Sequence, residues 1–351
     1  MTQENFSMRT TSQLANISSK KINGLLTMSR ILTAFINFSS IVLLFSCSNN
    51  SSFSPENLPK TTLESPNLII LGNVQDAGSP HMGCKKSCCK TLFENPDKNR
   101  MVVSLGISDP LSKKCWMIEA TPDFPRQAKI LKKHCPFNEK EYPDGIFLTH
   151  AHIGHYAGLM YLGKESMNSS NVPVYAMTRM KGFLVKNGPW SQLVNINNIK
   201  ISNIDHRENL SLSENISIEP FLVPHRDEFS ETVGYKISGP NKTALFIPDI
   251  DKWSKWNSSV IKEIENVDYA FIDATFYDEK EINNRDISEI PHPFVIETMK
   301  LFEKYSKEIK SKIYFIHLNH TNPLLDSNSI ESNLVKEKGF NIARPFHTFF
   351  L

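Results

Sequence analysis

Four apolar runs in this chain each finish on a side chain that can hold a metal: Gly145-Ile146-Phe147-Leu148-Thr149-His150, Phe221-Leu222-Val223-Pro224-His225, Leu245-Phe246-Ile247-Pro248-Asp249 and Tyr314-Phe315-Ile316-His317. Runs of this length and composition read as buried strands. For such strand ends to act together they must lie at one edge of the sheets, so the pattern calls for a layered fold with its site at that edge. The first run continues as His150-Ala151-His152-Ile153-Gly154-His155, three histidines within six residues. Side chains two apart on an extended segment face the same way, so His150 and His152 share a face while His155 follows on the turn into the next helix. Imidazole is the commonest protein ligand for zinc and also suits iron and manganese. A polar surface loop is the plainer alternative, but neither burial nor periodicity calls for this triplet.

From Asn67 onward the chain alternates short apolar runs with longer amphipathic ones. Strands are expected at residues 68–71, 101–105, 115–119, 146–149, 172–176, 216–223, 233–237, 244–247, 270–273 and 312–316. Helices are expected at residues 123–133, 156–164, 178–186, 260–266, 293–307 and 327–338. Two series of strands covered by helices make a layered α/β architecture. With 351 residues, 40% of them hydrophobic, there is enough material for a large core, and no Pro/Gly/Ser-rich linker divides residues 67–351. The net charge of +2, from 39 basic and 37 acidic residues, leaves no electrostatic footprint for nucleic acid or an acidic partner and says nothing more; the partner expected is a small-molecule substrate.

The N-terminal part reads differently. Arg30 precedes an apolar run over residues 31–45, shorter than the roughly 20 residues of a spanning helix but matched to a signal-peptide core. The run closes on Leu43-Leu44-Phe45-Ser46-Cys47, which resembles a bacterial lipobox with Cys47 as the lipidated residue. Ser48-Asn49-Asn50-Ser51-Ser52 then reads as a flexible tether. On this reading residues 1–46 are an extension and signal peptide, 47–66 a tether and 67–351 the folded domain. The protein is then exported and held to the membrane through Cys47. An uncleaved anchor helix and an unused extension are the alternatives, and Met28 is an alternative start.

Five cysteines remain: Cys84, Cys88, Cys89, Cys115 and Cys135. An odd number with three packed into Cys84-Lys85-Lys86-Ser87-Cys88-Cys89 suits a metal site better than a disulfide framework. A disulfide from Cys88 or Cys89 to Cys84 or Cys135 is the competing expectation. His292 falls in Ser288-Glu289-Ile290-Pro291-His292-Pro293, a loop before a helix, and either lines a substrate pocket or sits at the surface. His81, His134, His206 and His347 have no motif around them, and Trp190, Trp253 and Trp256 read as core.

The histidine cluster, the later lone histidine, the aspartate and the final histidine resemble the metallo-β-lactamase superfamily, whose signature is His-x-His-x-Asp-His. The resemblance spans roughly residues 67–351 and implies an αββα four-layer sandwich of two mixed β-sheets flanked by helices. It implies that His150, His152 and His225 hold a first metal, that Asp249 bridges two metals, and that His155 and His317 hold the second. Cys115-Trp116-Met117-Ile118-Glu119-Ala120-Thr121-Pro122-Asp123 looks like the strand-to-loop segment that supports the cluster from beneath; an ordinary strand and helix cap fits it equally. Gly154 stands where the superfamily carries the aspartate of the second site, so one firmly bound metal and a weaker or missing second are expected. Asp227, Glu231, Asp251, Asp273 and His292 are the candidates to fill that gap.

Within the superfamily, Leu71-Gly72-Asn73-Val74-Gln75-Asp76-Ala77-Gly78 followed by Gly83-Cys84 resembles the pyrroloquinoline quinone biosynthesis protein B group and the phosphonate-pathway cyclic phosphodiesterase. In the phosphodiesterase branch three cysteines and a histidine three residues past the last catalytic ligand make a structural zinc site. His317-Leu318-Asn319-His320 reproduces that spacing, which implies a structural site of Cys84, Cys88, Cys89 and His320, although adjacent cysteines depart from that branch's spacing.

The chemistry implied is hydrolysis of an ester, lactone or phosphodiester by a metal-bound hydroxide, with Asp249 and His292 as catalytic candidates. The implied cofactors are zinc at one or two catalytic positions and one structural position, with iron or manganese as alternatives at the catalytic centre. An oxygen-dependent iron or copper oxidoreductase and a non-catalytic metal or ligand binder are the competing functions. β-Lactamase activity does not follow from the fold.

Overall fold

The computed structural model describes residues 64–282 and 290–351. Cys47, the signal segment and the tether lie outside the described residues. Fourteen strands form within the described part. In chain order they are β1 (Asn67–Gly72), β2 (Ser104–Asp109), β3 (Lys114–Ile118), β4 (Gly145–Phe147), β5 (Val172–Ala176), β6 (Ile199–Asn203) and β7 (Leu210–Ser211). They continue as β8 (Ser217–Leu222), β9 (Val233–Ser238), β10 (Thr243–Ile247), β11 (Tyr269–Asp273), β12 (Ile313–Ile316), β13 (Asn341–Ile342) and β14 (Thr348–Phe350).

The strands build two seven-stranded mixed sheets, ordered β14-β1-β2-β3-β4-β5-β6 and β13-β12-β11-β10-β9-β8-β7. Period-2 alternation explains how each strand serves two cores. Leu68, Ile70, Trp116, Ile118 and Phe147 meet Ile218, Tyr235, Ile237, Phe246 and Phe271 in the core between the sheets. Their strand neighbours Ile69, Leu71, Cys115, Met117 and Ile146 point the other way and pack with Phe124, Ala128, Leu131, Met180 and Leu184. Phe124, Ala128 and Leu131 recur at helical spacing on Phe124–His134, which gives that helix its buried face. On the second sheet Leu245, Ile247, Ala270, Ile272 and Phe315 pack with Val260, Ile264, Val295, Phe302 and Val335. The result is the four-layer αββα sandwich.

Strand direction places the site. β3, β4, β5 and β6 are mutually parallel, as are β10, β11, β12 and β13. β1 runs antiparallel to β2 and β2 to β3, so β1 points the same way as β3. By the same reasoning β8, two antiparallel steps from β10, is aligned with it. Glu119, His150, His225, Asp249, Asp273 and His317 therefore all follow or finish strands that run the same way within their sheet. The end of the chain is fastened beside β1: β14 pairs with it, Phe346 N–H donates to Ile70 O at 2.7 Å and Leu351 N–H to Pro66 O at 2.9 Å.

Candidate metal centre

His150 Nε2, His152 Nδ1 and His225 Nε2 converge: His152 Nδ1 lies 2.8 Å from His150 Nε2 and 3.3 Å from His225 Nε2. Asp249 Oδ2 closes the group at 3.4 Å from His150 and 3.3 Å from His225. Two nitrogens on a tetrahedral zinc with bonds of about 2.05 Å sit about 3.3 Å apart, which matches the His152–His225 pair, while the His150–His152 pair is closer at 2.8 Å. The four donors form one of the compact ligand groups of the fold. His150 is wholly enclosed, and burial together with neighbouring His155 holds its pKa well below the ordinary value, in the neutral form that ligates. Burial opposes ionisation of Asp249, but the imidazoles of His225, His292 and His317 outweigh it and hold the carboxyl well below its usual range.

A second group of donors shares Asp249. His155 and His317 are completely buried, and Nε2 of each has no protein partner. A buried polar atom left unpaired costs about 1–3 kcal/mol, which is the signature of a place built for an ion. Asp76 joins these two histidines in a ligand group, while Asp249, Asp273, His292 and His317 form an overlapping one. His292 Nδ1 stands 2.8 Å from Asp273 Oδ2 and 3.2 Å from Asp249 Oδ1. Although burial pulls His292 down, Asp273 and Asp249 overcome it and raise the pKa to about 10. The donors present at both groups fit a divalent cation.

Supporting residues hold these side chains from behind. Glu119, wholly buried, accepts from Thr149 Oγ1 and lies 3.4 Å from His155 Nδ1; Thr149 Oγ1 in turn is 2.9 Å from His150 Nδ1. Thr275 Oγ1 lies 2.8 Å from His317 Nδ1 and donates to Asp273 Oδ1 at 2.7 Å. Such partners fix ring orientation and tautomer. Glu119 and His317 both adopt positive φ, 78° and 62°. A side chain at a non-glycine residue in that region is held against a conformational cost, and such positions concentrate at functional sites.

The expected gap-fillers separate cleanly. Asp273 and His292 lie at the centre, whereas Asp227 accepts from Thr232, Glu231 from the backbone of Arg179 and Met180, and Asp251 pairs with Lys255. Asp76, Thr149 and Thr275 had no ligand or support role in the sequence reading. Asp76 follows a strand that runs the same way as the one feeding Glu119, a relation that the sheet pairing discloses and the local sequence does not.

At the second cluster Cys84, Cys88 and Cys89 bring their thiols together, with Sγ separations of 3.8 Å (Cys84 to Cys88) and 4.0 Å (Cys88 to Cys89). Sulfurs on a tetrahedral zinc with bonds of about 2.3 Å are about 3.8 Å apart. All three are free, as are Cys115 and Cys135, which lie in the core beneath the first sheet. His320 stacks on His81 with ring centroids 4.5 Å apart, and His81 N–H donates to Cys89 Sγ at 3.3 Å. The thiol group itself comprises the three cysteines without His320. His81, which carried no sequence motif, is thus part of this cluster.

A cavity of about 580 Å³ opens between the two clusters, with Gln75, Lys86, Arg226, Thr275, His292 and His320 among its walls. Among the described residues no helix is long and apolar enough to cross a membrane.

Two seven-stranded sheets back to back with a shared histidine/aspartate centre at one edge define a metal-binding αββα protein. The chain belongs to the beta-lactamase superfamily domain family, whose model matches residues 116–318. It is 22% identical over 298 residues to coenzyme PQQ synthesis protein B of Xanthomonas campestris pv. campestris (strain B100), covering 79% of this chain and 97% of the relative. Among solved structures it is similar to Zn(2+)-bound PqqB from Methylobacterium extorquens, with a TM-score of 0.67 at 20% identity, covering 81% of this chain and all (100%) of that one. It is also similar to a diphosphatase from the PhnP family, with a TM-score of 0.56 at 22% identity, covering 82% of this chain and 97% of that one.

Proposed function

We propose that this protein is a metal-dependent hydrolase acting on an anionic ester, a phosphodiester first, with lactones and neutral esters as poorer substrates. The convergence of His150, His152, His225 and Asp249 carries the reading. Zinc is the proposed metal, on the His152–His225 and thiol spacings and on the solved zinc-bound PqqB relative. When bound, such a metal supplies a Lewis acid and lowers the pKa of water towards about 7.

The chain's own residues do the rest. Arg226 and Lys86 line the cavity and favour a negatively charged substrate. Asp249 stays ionised and orients the attacking group. His292, clamped between Asp273 and Asp249 and facing the cavity, holds a proton that it donates to the leaving oxygen. Glu119 and Thr275 keep the ligating imidazoles turned towards the centre.

Turnover of bis(p-nitrophenyl) phosphate and of a panel of lactones and carboxylic esters tests this. Activity that is removed by chelation and by His150→Ala is expected. Fully metallated protein that cleaves none of the panel overturns it. A second reading is an oxygen-using iron or copper enzyme, favoured by the likeness to relatives named for coenzyme PQQ synthesis over 97% of their length. Iron in the purified protein and oxygen uptake with a phenolic or sulfur substrate would establish it instead. We further propose that the chain is exported and anchored through a lipid on Cys47, on the lipobox-like Leu44-Phe45-Ser46-Cys47.

A further inference from the structure

Gly154 offers no side chain where the family motif has a carboxylate, yet the space is occupied. A Cβ placed on Gly154 would fall 2.3 Å from Asp76 Cβ, 2.7 Å from Asp76 O and 2.9 Å from Asp76 Cα. Real atoms cannot approach so closely, and two of the three are backbone, so a side chain at residue 154 and the present position of Asp76 exclude each other. Asp76 fills the volume into which an aspartate at 154 would grow.

The carboxylate at Asp76 also finds the right company. It groups with His155 and His317, one ligand atom from each lying within 4.8 Å of the others. Both histidines are fully buried with Nε2 unpartnered; His317 Nδ1 pairs with Thr275 Oγ1 at 2.8 Å, while His155 Nδ1 has Glu119 Oε1 beside it at 3.4 Å without a hydrogen bond. Asp249 Oδ2 lies 3.8 Å from His155 Nε2 and 3.3 Å from His225 Nε2, so one carboxylate spans both donor sets.

The overlapping set with Asp273 is the weaker ligand group, because both oxygens of Asp273 are engaged, whereas at Asp76 it is Oδ1 that accepts, from Gln75 Nε2. Asp273 Oδ1 accepts from Thr275 N at 2.8 Å and Thr275 Oγ1 at 2.7 Å, and its Oδ2 from Ile250 N at 3.1 Å and His292 Nδ1 at 2.8 Å. The segment carrying Asp76 is meanwhile fastened to the other ligand strands. Gln75 N–H donates to Leu318 O at 2.9 Å and Leu318 N–H to Asn73 O at 2.8 Å, tying it to the residue directly after His317.

We propose that Asp76 is the carboxylate ligand that Gly154 lacks, so that Asp76, His155, Asp249 and His317 complete a second catalytic-centre metal site with Asp249 shared. The proposal rests on the metal-centre reading above but not on any particular substrate. The motif's aspartate has in effect moved to a different segment while the cavity it served is retained.

Metal counting by elemental analysis on the full chain, with zinc as the probe, tests it. Asp76→Asn is expected to lose one metal equivalent relative to the wild type while its circular dichroism stays unchanged. Gly154→Asp alone collides with Asp76 and is expected to lose metal or fold poorly. The exchange variant Asp76→Gly/Gly154→Asp is expected to recover the lost equivalent. With cobalt substituted for zinc, the visible spectrum of the exchange variant should regain the intensity that Asp76→Asn loses. A folded Asp76→Asn protein that keeps every metal overturns the proposal. A wild type with a single metal at the histidine centre also overturns it, while leaving a one-metal hydrolase standing. A histidine centre that binds none sinks both readings.

Discussion

Glu119 Oε1 lies 3.4 Å from His155 Nδ1, and both side chains are completely enclosed. A carboxylate in that position turns the imidazole towards the centre and strengthens it as a ligand. Glu119→Gln is expected to weaken metal affinity at the centre about 10–100-fold. Competition against a chromophoric chelator measures this directly. Unchanged affinity would show that His155 is held by packing alone.

His292 is argued to protonate the leaving group. Its replacement by alanine should therefore depend on what leaves. His292→Ala is expected to lower kcat about 10²–10⁴-fold for alkyl phosphodiesters and far less for p-nitrophenyl ones, whose leaving group needs little protonation. An equal loss on both substrates, with metal content intact, would remove His292 from that role.

Three thiols at the spacing of sulfurs on zinc, with no disulfide between them, are proposed to hold a metal that supports folding. Cys88→Ser is expected to lose one metal equivalent and to lower Tm, leaving the histidine centre loaded. Thiol titration after chelation should give one more reactive group for each released cysteine. Retention of all metal in Cys88→Ser would refute a site there.

Glu281 is half-buried on the cavity wall beside Tyr277 and Thr321, and burial pushes its pKa up to about 7 in spite of their hydrogen bonds. The folded state then holds a proton that the unfolded chain releases at lower pH. Stability from this group is present below about pH 4.5 and falls as pH rises towards 7, by an amount on the order of 2–3 kcal/mol. Glu281→Gln should flatten the decline in Tm between pH 5 and 8, on the order of those limits. A variant with the same pH slope as the wild type would exclude Glu281 as its source.

A lipid on Cys47, as proposed above, would be detectable by labelling. Cells expressing the full chain with labelled palmitate should yield a labelled, membrane-associated protein. Cys47→Ala should abolish both label and association. Label that survives the substitution would rule out Cys47.

Much of this was legible before the fold was seen, and for a physical reason. Strands that end on metal-competent side chains, such as β4 before His150 and β12 before His317, combine an apolar run with a chemically conspicuous stop. β5 lies just where its alternating residues put it, at Val172–Ala176. β2 begins at Ser104 rather than residue 101, because Met101 O accepts from Asn73 and Val74 and so holds the loop of Asp76 instead of a neighbouring strand. β6 (Ile199–Asn203) was missed since its lysine, serine and asparagine break the apolar signal at the sheet edge. The helix expected over residues 293–307 stops at Leu301, with Phe302 turned into the core. Asp76 was invisible because nothing local distinguishes it. Its meaning lies in the side chain that Gly154 does not have, seventy-eight residues later.

The pairing of β14 with β1 gives the tail of the domain an unexpected reach. Thr348–Phe350 and the flanking contacts of Phe346 and Leu351 grip the strand from which the Asp76 loop emerges. Loosening residues 346–351 would touch none of the metal-competent side chains, yet it would slacken the strand that leads to the Asp76 loop. A change that unpairs Thr348–Phe350 is therefore a lesion at the heart of the protein, delivered from its rim.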